Sequence, residues 1–198
     1  MLNLTENEAK TMGFLVRNIK ERNSINQIAK RLGLSPMGAY KILKKLEKAN
    51  AVKAEKIGNA IYYRASLDNE IGRNLAEFAL LQNEFTNIKA KVYADEFKKL
   101  KETADGCILY GSILSKGKEA NDVDAIIIIK KENYKKLKKE IDDIKFFSTK
   151  KIHDLVMTKE ELSNNLKKNN EAMIDMLKYG QILWGADIIV EAIKNGAT

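Results

Sequence analysis

Leu109-Tyr110-Gly111-Ser112, followed by Asp122-Val123-Asp124-Ala125-Ile126, is the stretch on which the reading of the C-terminal half turns. Cys107 to Tyr110 is a short apolar run of strand type closed by Gly111, a residue that lets the backbone turn sharply. Ser112 is expected to open a short helix through Leu114, so that backbone N–H groups, the helix dipole and the Ser hydroxyl favour an anion such as a triphosphate. Val123 to Ile129 reads as a second buried strand. Successive strand residues face opposite ways, so Asp122 and Asp124 share one face. Two carboxylates side by side repel unless a cation lies between them, and hard oxygen ligands suit Mg²⁺ or Mn²⁺.

Two-metal phosphoryl chemistry needs a further carboxylate from a neighbouring strand, and Asp154 is the candidate. It lies in the strand-like run Lys151 to Met157, ahead of Thr158 and Glu160-Glu161, which read as a helix start. The sequence leaves the face of Asp154 open. His153 beside it reads as structural, as does Trp184, while Cys107 fills a strand.

The order of apolar strand, Gly-Ser, spacer and Asp-x-Asp resembles the DNA polymerase beta-like nucleotidyltransferases, most closely the small minimal-type domains of prokaryotes. The likeness extends through Asp154-Leu155-Val156 to Tyr179-Gly180-Gln181-Ile182-Leu183-Trp184-Gly185. It implies that Gly111 and Ser112 hold nucleotide phosphates, that Asp122 and Asp124 bind metal, and that Asp154 is the third metal ligand or base. Where many small members carry an arginine soon after Gly-Ser, this chain has Ile113 and Leu114, and its first basic residues are Lys116 and Lys118. It also implies Mg²⁺ (or Mn²⁺) and an NTP. Prokaryotic minimal members often act as antitoxins.

The first third of the chain carries a different signal. Residues 1 to 68 hold 13 Lys or Arg against 6 Asp or Glu, whereas 69 to 104 are balanced and 105 to 198 hold 16 against 15. The surplus behind the formal charge of +8 is therefore N-terminal, which suggests a polyanion-binding module. Thr5 with Glu8 caps a helix expected over Glu6 to Glu21. Ile25 to Leu32 is a second helix, stopped by Gly33. Ser35 and Pro36 start a third that runs to about Ala49. Ala39, Ile42, Leu43 and Leu46 point inward, leaving Met37, Tyr40, Lys41, Lys44 and Lys45 on the solvent side. Val52 to Ile57 and Ala60 to Ala65 then form a hairpin about Gly58-Asn59.

This order of helices and basic wing resembles winged helix-turn-helix domains of the ArsR and MarR type, notably in Gln27 to Ser35 and Leu43 to Glu47. The resemblance implies double-stranded DNA as partner. Met37, Tyr40, Lys41, Lys44 and Lys45 would face the major groove, and Lys56, Asn59 and Arg64 would make wing contacts.

The fold class that follows is α+β, in three parts: a winged helix-turn-helix domain over 1–68, a helical linker over 69–104, and a small mixed-sheet nucleotidyltransferase-like domain over 105–198. In the linker, Ile71, Leu75, Phe78, Ala79, Phe85, Ile88, Val92 and Phe97 recur at helical spacing and suit a homodimer. The Lys-rich run from Lys130 to Lys139 reads as a solvated helix face. A lone Cys fits a reducing cytoplasm, and neither a membrane span nor a signal peptide is expected. Two functions fit. One is a DNA-tethered transferase that moves a nucleoside monophosphate from an NTP to a protein, RNA or small-molecule acceptor, in an autoregulated, antitoxin-like setting. The other is a transcriptional regulator whose transferase-like domain only binds a nucleotide as effector.

Overall fold

Thr5 accepts from the Glu8 amide while the Glu8 carboxylate accepts from the Thr5 amide, and this capping box opens helix α1 (Glu6–Arg17). Ser24 and Gln27 form a second box ahead of α2 (Ile25–Leu32), which Gly33 ends in the left-handed region at φ 65°. Ser35 then caps α3 (Pro36–Lys48), with Pro36 in its first turn. Each local signal is worth about 1 kcal/mol, so together they fix where the helices begin rather than how tightly they pack.

The computed structural model describes residues 4–82 and 85–196. The ends of the expected domains at 1–3 and 197–198, and residues 83–84 of the expected linker, lie outside the described residues. The chain divides into two compact units, one through Gln82 and one from Asn83 onward.

In the first unit, β2 (Val52–Ile57) and β3 (Ala60–Ala65) form an antiparallel hairpin turned by Gly58 at φ 59°. The short β1 (Asn23–Ser24) pairs with the other edge of β3, giving the order β1-β3-β2. Met12, Leu15, Val16, Ile28, Ala39, Leu43, Leu46 and Tyr63 fill its core. Three helices with a hairpin wing make this unit a winged helix-turn-helix. Helix α4 (Glu70–Leu80), capped by Asn69, packs on α1 with Ala79 against Gly13, and buries Gly72, Ala76, Ala79 and Leu80.

The second unit begins with α5 (Ile88–Phe97), capped by Asn87. Its strands β4 (Gly106–Tyr110), β5 (Asp122–Ile128), β6 (Lys151–Met157) and β7 (Gln181–Trp184) form one mixed sheet in the order β6-β5-β4-β7. Only β5 and β6 run parallel, joined by the crossover helix α7 (Tyr134–Phe147). On one sheet face Cys107, Leu109, Val123, Ala125, Ile127 and Ile152 pack with Tyr93 and Phe97 of α5 and Leu137, Ile141 and Ile144 of α7. Helices α8 (Lys159–Lys167), α9 (Glu171–Tyr179) and α10 (Ala186–Gly196) follow, with α9 and α10 packed against β4. Between β4 and β5 sits a short helix, α6 (Ser112–Lys116). No helix among the described residues is long and apolar enough to cross a membrane.

The stretch expected as one helical linker thus divides between the units, and each helix buries one face, Leu80 on α4 and Tyr93 and Phe97 on α5 among the large residues. Ala76, Ala79, Ala90 and Ala94 are buried, whereas Ile71, Phe78, Ile88 and Val92 are exposed. The chain is α+β throughout.

Candidate functional site

The carboxylate site lies where β4 ends and β5 and β6 begin. Gly111 leaves β4 at φ 81°, and a Cβ there would run into the Asp124 carboxylate. The glycine therefore provides the room that lets the turn close over β5. Ser112 Oγ lies 3.4 Å from Asp122 Oδ1. Ladder register puts Tyr110 opposite Asp124, on the same face. Burial, and next to it the Asp124 charge, push the Tyr110 phenol above its ordinary pKa. Asp122 and Asp124 share this face, as the alternation of β5 requires.

The third group is not Asp154. In the parallel ladder Asp124 pairs with His153 and Ala125 with Asp154. Asp154 consequently points to the opposite face, the one covered by α7, where it ion-pairs with Lys145. It belongs to the packing of α7 and does not join the site. His153 takes the place instead, with Nδ1 3.2 Å from Asp124 Oδ1 and 3.8 Å from Asp122 Oδ2. One ligating atom from each of Asp122, Asp124 and His153 lies within 4.8 Å of the others. A one-residue shift on a strand exchanges the faces, and β6 is apolar on both, with Ile152 and Val156 on one and Leu155 and Met157 on the other. The sequence therefore held no period that chose between His153 and Asp154.

Lys116 and Lys118 are exposed, on the last turn of α6 and just after it. Among the described residues neither pairs with Asp122 or Asp124, and Lys118 lends its carbonyl to the Lys150 ammonium, 2.9 Å away. Cys107 is buried and its thiol is pushed far up by desolvation, which leaves it inert. Trp184 is partly buried, its indole N–H donating to the Ala104 carbonyl at 3.0 Å.

The first unit presents a second surface. On α3, Met37 is 61% and Tyr40 41% exposed, and Lys41 and Lys44 extend the same face. Lys44 also pairs with Glu47 at 2.7 Å within the helix. Lys45 departs from the expectation. Its ammonium meets both oxygens of Glu8, at 2.8 and 2.9 Å, so this exposed side chain ties α3 to the start of α1. The wing residues also separate. Lys56 sits opposite Ile61 and Arg64 opposite Lys53, so Lys56 shares the face of buried Tyr63, while Arg64 lies on the other face. Asn59 is exposed at the hairpin turn.

A winged unit with this surface invites comparison with known DNA readers. Residues 1–67 match the family of the sugar-specific transcriptional regulator TrmB. The TrmB match covers α1 to β3 and ends at residue 67, just ahead of α4, so it speaks for the winged unit alone. No curated protein and no solved structure matches the chain.

Proposed function

We propose that this protein is a DNA-binding transcriptional regulator whose C-terminal unit binds a metal–nucleotide complex as effector. The observation that carries the first half is the TrmB-type winged helix with Met37, Tyr40 and Lys41 exposed on one face of α3. An exposed apolar and basic face at the second helix of a helix-turn-helix suits contact with base edges and phosphates in the major groove. Asn59 and Lys56 at the wing suit flanking phosphates. A homodimer belongs to the same reading, since two-fold proteins read palindromic sites, and exposed Ile71 and Phe78 on α4 support it. So does a cytoplasmic location.

The effector half rests on the chemistry of the second unit. Gly111 and Ser112 suit phosphate oxygens, with Lys116 and Lys118 within the same segment. Asp122 and Asp124 suit a divalent cation, Mg²⁺ or Mn²⁺, that would travel with the nucleotide. TrmB regulators are described as sugar-specific, but the matched residues stop short of this unit.

The second reading is metal-dependent transfer of a nucleoside monophosphate from an NTP to a protein, RNA or small-molecule acceptor, in an antitoxin-like, autoregulated setting. Asp122 and Asp124 side by side favour it. Sensing is preferred because Asp154, the expected third ligand or base, is engaged with Lys145 on the far face.

The test uses the full chain and duplexes enriched by iterative selection. Binding is expected to weaken steeply with salt, and NTP with divalent metal to change it by about fivefold or more. Salt-insensitive or absent binding overturns the regulator reading. Label passing from α-³²P-NTP to an acceptor, and lost in Asp122→Ala/Asp124→Ala, would put transfer in place of sensing.

A further inference from the structure

The two carboxylates at the start of β5 differ from Asp154, Asp95 and Glu191 in how their charge is met. Asp154 has Lys145, Asp95 has Lys98 at 2.7 Å, and Glu191 has Lys159 at 2.9 Å. Among the described residues no lysine or arginine forms an ion pair with Asp122 or Asp124; Lys151 is the ladder neighbour of Asp122, and the imidazole of His153 is the group that approaches both carboxylates. At about 4 Å two like charges repel by about 4 kcal/mol at an effective dielectric of about 20, less where solvent screens them. The Asp122 side chain is 37% and the Asp124 side chain 21% exposed, so solvent screens a good part of this repulsion. Two carboxylates and an imidazole thus stand together with no ion-paired lysine or arginine among the described residues, an arrangement that a bound cation would relieve.

The donor set then selects the cation. Mg²⁺ favours an all-oxygen octahedron and retains waters, whereas imidazole nitrogen suits later first-row ions such as Zn²⁺, and Mn²⁺ tolerates mixed oxygen and nitrogen donors. The geometry converges on one point, Nδ1 of His153 lying 3.2 and 3.8 Å from one oxygen of each carboxylate. The fourth acidic or imidazole group a second ion would need is missing among the described residues.

We propose that Asp122, Asp124 and His153 hold a single transition dication, of the Mn²⁺ or Zn²⁺ kind in preference to Mg²⁺, with His153 as its nitrogen ligand. The proposal rests on the metal-site reading of Asp122 and Asp124 given above. Two carboxylates cancel the ion's charge, and three ligands leave coordination positions for water or phosphate oxygens on the side of Ser112. The site then holds one ion, as a sensor of a metal-bound anion requires, where two-metal in-line transfer would need another.

The chain contains one histidine, so any imidazole signal from untagged protein comes from His153. Mn²⁺ is titrated into the full chain and followed by electron paramagnetic resonance, with spin-echo modulation reporting ¹⁴N coupling at the bound ion. The expected result is one Mn²⁺ per chain with imidazole ¹⁴N coupling. His153→Asp should abolish the coupling, keep an ion bound, and move the Mn²⁺-to-Mg²⁺ preference toward Mg²⁺ by about tenfold. His153→Ala should weaken Mn²⁺ by about tenfold or more, with an unchanged circular dichroism spectrum establishing that it is folded. Mn²⁺ bound without ¹⁴N coupling overturns the role of His153 while leaving the carboxylate site standing. No Mn²⁺ or Zn²⁺ bound at all, in protein shown to be folded, overturns both.

Discussion

Lys45 and Glu8 join the third helix of the winged unit to the cap of the first, with the Lys45 ammonium 2.8 and 2.9 Å from the two Glu8 oxygens. The same carboxylate accepts from the Thr5 amide, so one side chain closes the capping box and anchors the outward-facing helix. Glu8 is 8% exposed. Burial alone would raise its pKa, but the hydrogen bonds from Lys45 and Thr5 outweigh it and hold the carboxyl below its ordinary 4.5. A depressed acid pKa contributes stability that is present above the ordinary value and lost as pH falls through the lower folded one. Glu8→Gln is therefore expected to flatten the acid limb of stability below about pH 4.5 and, by weakening the cap, to cost about 1 kcal/mol at neutral pH. Urea unfolding across pH 3 to 7 measures both, and an unchanged acid limb would refute the assignment.

Lys41 and Lys45 are expected to behave differently although both are lysines of one helix. Lys41 is exposed on the face of Met37 and Tyr40, whereas Lys45 is committed to Glu8. Lys41→Ala should lower the slope of log affinity for DNA against log salt by about 1 and leave stability within about 0.5 kcal/mol. Lys45→Ala should lower stability by about 1 kcal/mol and move the salt slope less. Filter binding at several salt concentrations, beside thermal unfolding, separates the two. Equal slopes for the two variants would return Lys45 to the DNA-facing surface.

What could be read in advance follows the range of the signals. Ser35-Pro36 and Gly33 act on their own helix ends, so the turn between α2 and α3 was visible in a few residues. Gly58-Asn59 likewise fixed the hairpin. The placement of Asp122 and Asp124 on one face needed only the two-residue period of β5. The partner of that face needed the parallel register of β5 with β6, strands whose Asp124 and His153 are 29 positions apart in sequence with α7 between them, and no local residue encodes it. The division of the linker was hidden for another reason. Its helical spacing ran on through both helices, while the break is marked by Asn87, which caps α5 and donates to the carbonyls of Ile113 and Leu114 at 3.1 and 2.8 Å. The last two contacts are tertiary.

Asp122 and Asp154 should respond oppositely to the loss of their charge. Asp122→Asn relieves repulsion with Asp124, so metal-free protein is expected to be as stable as the parent or more stable, by up to about 1 kcal/mol. It should also lose the stabilisation by added Mn²⁺, which for the parent reaches about 2.7 kcal/mol at 100 times the dissociation constant. Asp154→Asn leaves Lys145 without its carboxylate and should cost about 1 kcal/mol while preserving the response to Mn²⁺. Melting curves with and without Mn²⁺, and with chelator, give the four values. A lost Mn²⁺ response in Asp154→Asn would restore Asp154 to the site.

Gly111 is the backbone condition for the whole arrangement. Its φ of 81° is a conformation that other residues adopt at a cost, and its hydrogen in place of a Cβ leaves the Asp124 carboxylate where His153 meets it. Gly111→Ala adds backbone strain of about 1 to 3 kcal/mol and forces the carboxylate aside. The expected outcome is a folded but less stable unit whose Mn²⁺ affinity falls by about tenfold or more, because a ligand displaced by a few tenths of an ångström no longer reaches the ion held by its neighbours. Gly58→Ala is the control. It has a similar φ of 59° but open space around the added carbon, so it carries the strain without touching a ligand and should leave Mn²⁺ binding unchanged. Calorimetric titration of the two variants distinguishes a steric demand at the site from a general loss of stability. Equal Mn²⁺ affinity in both would mean that the turn shapes the fold and not the ligands.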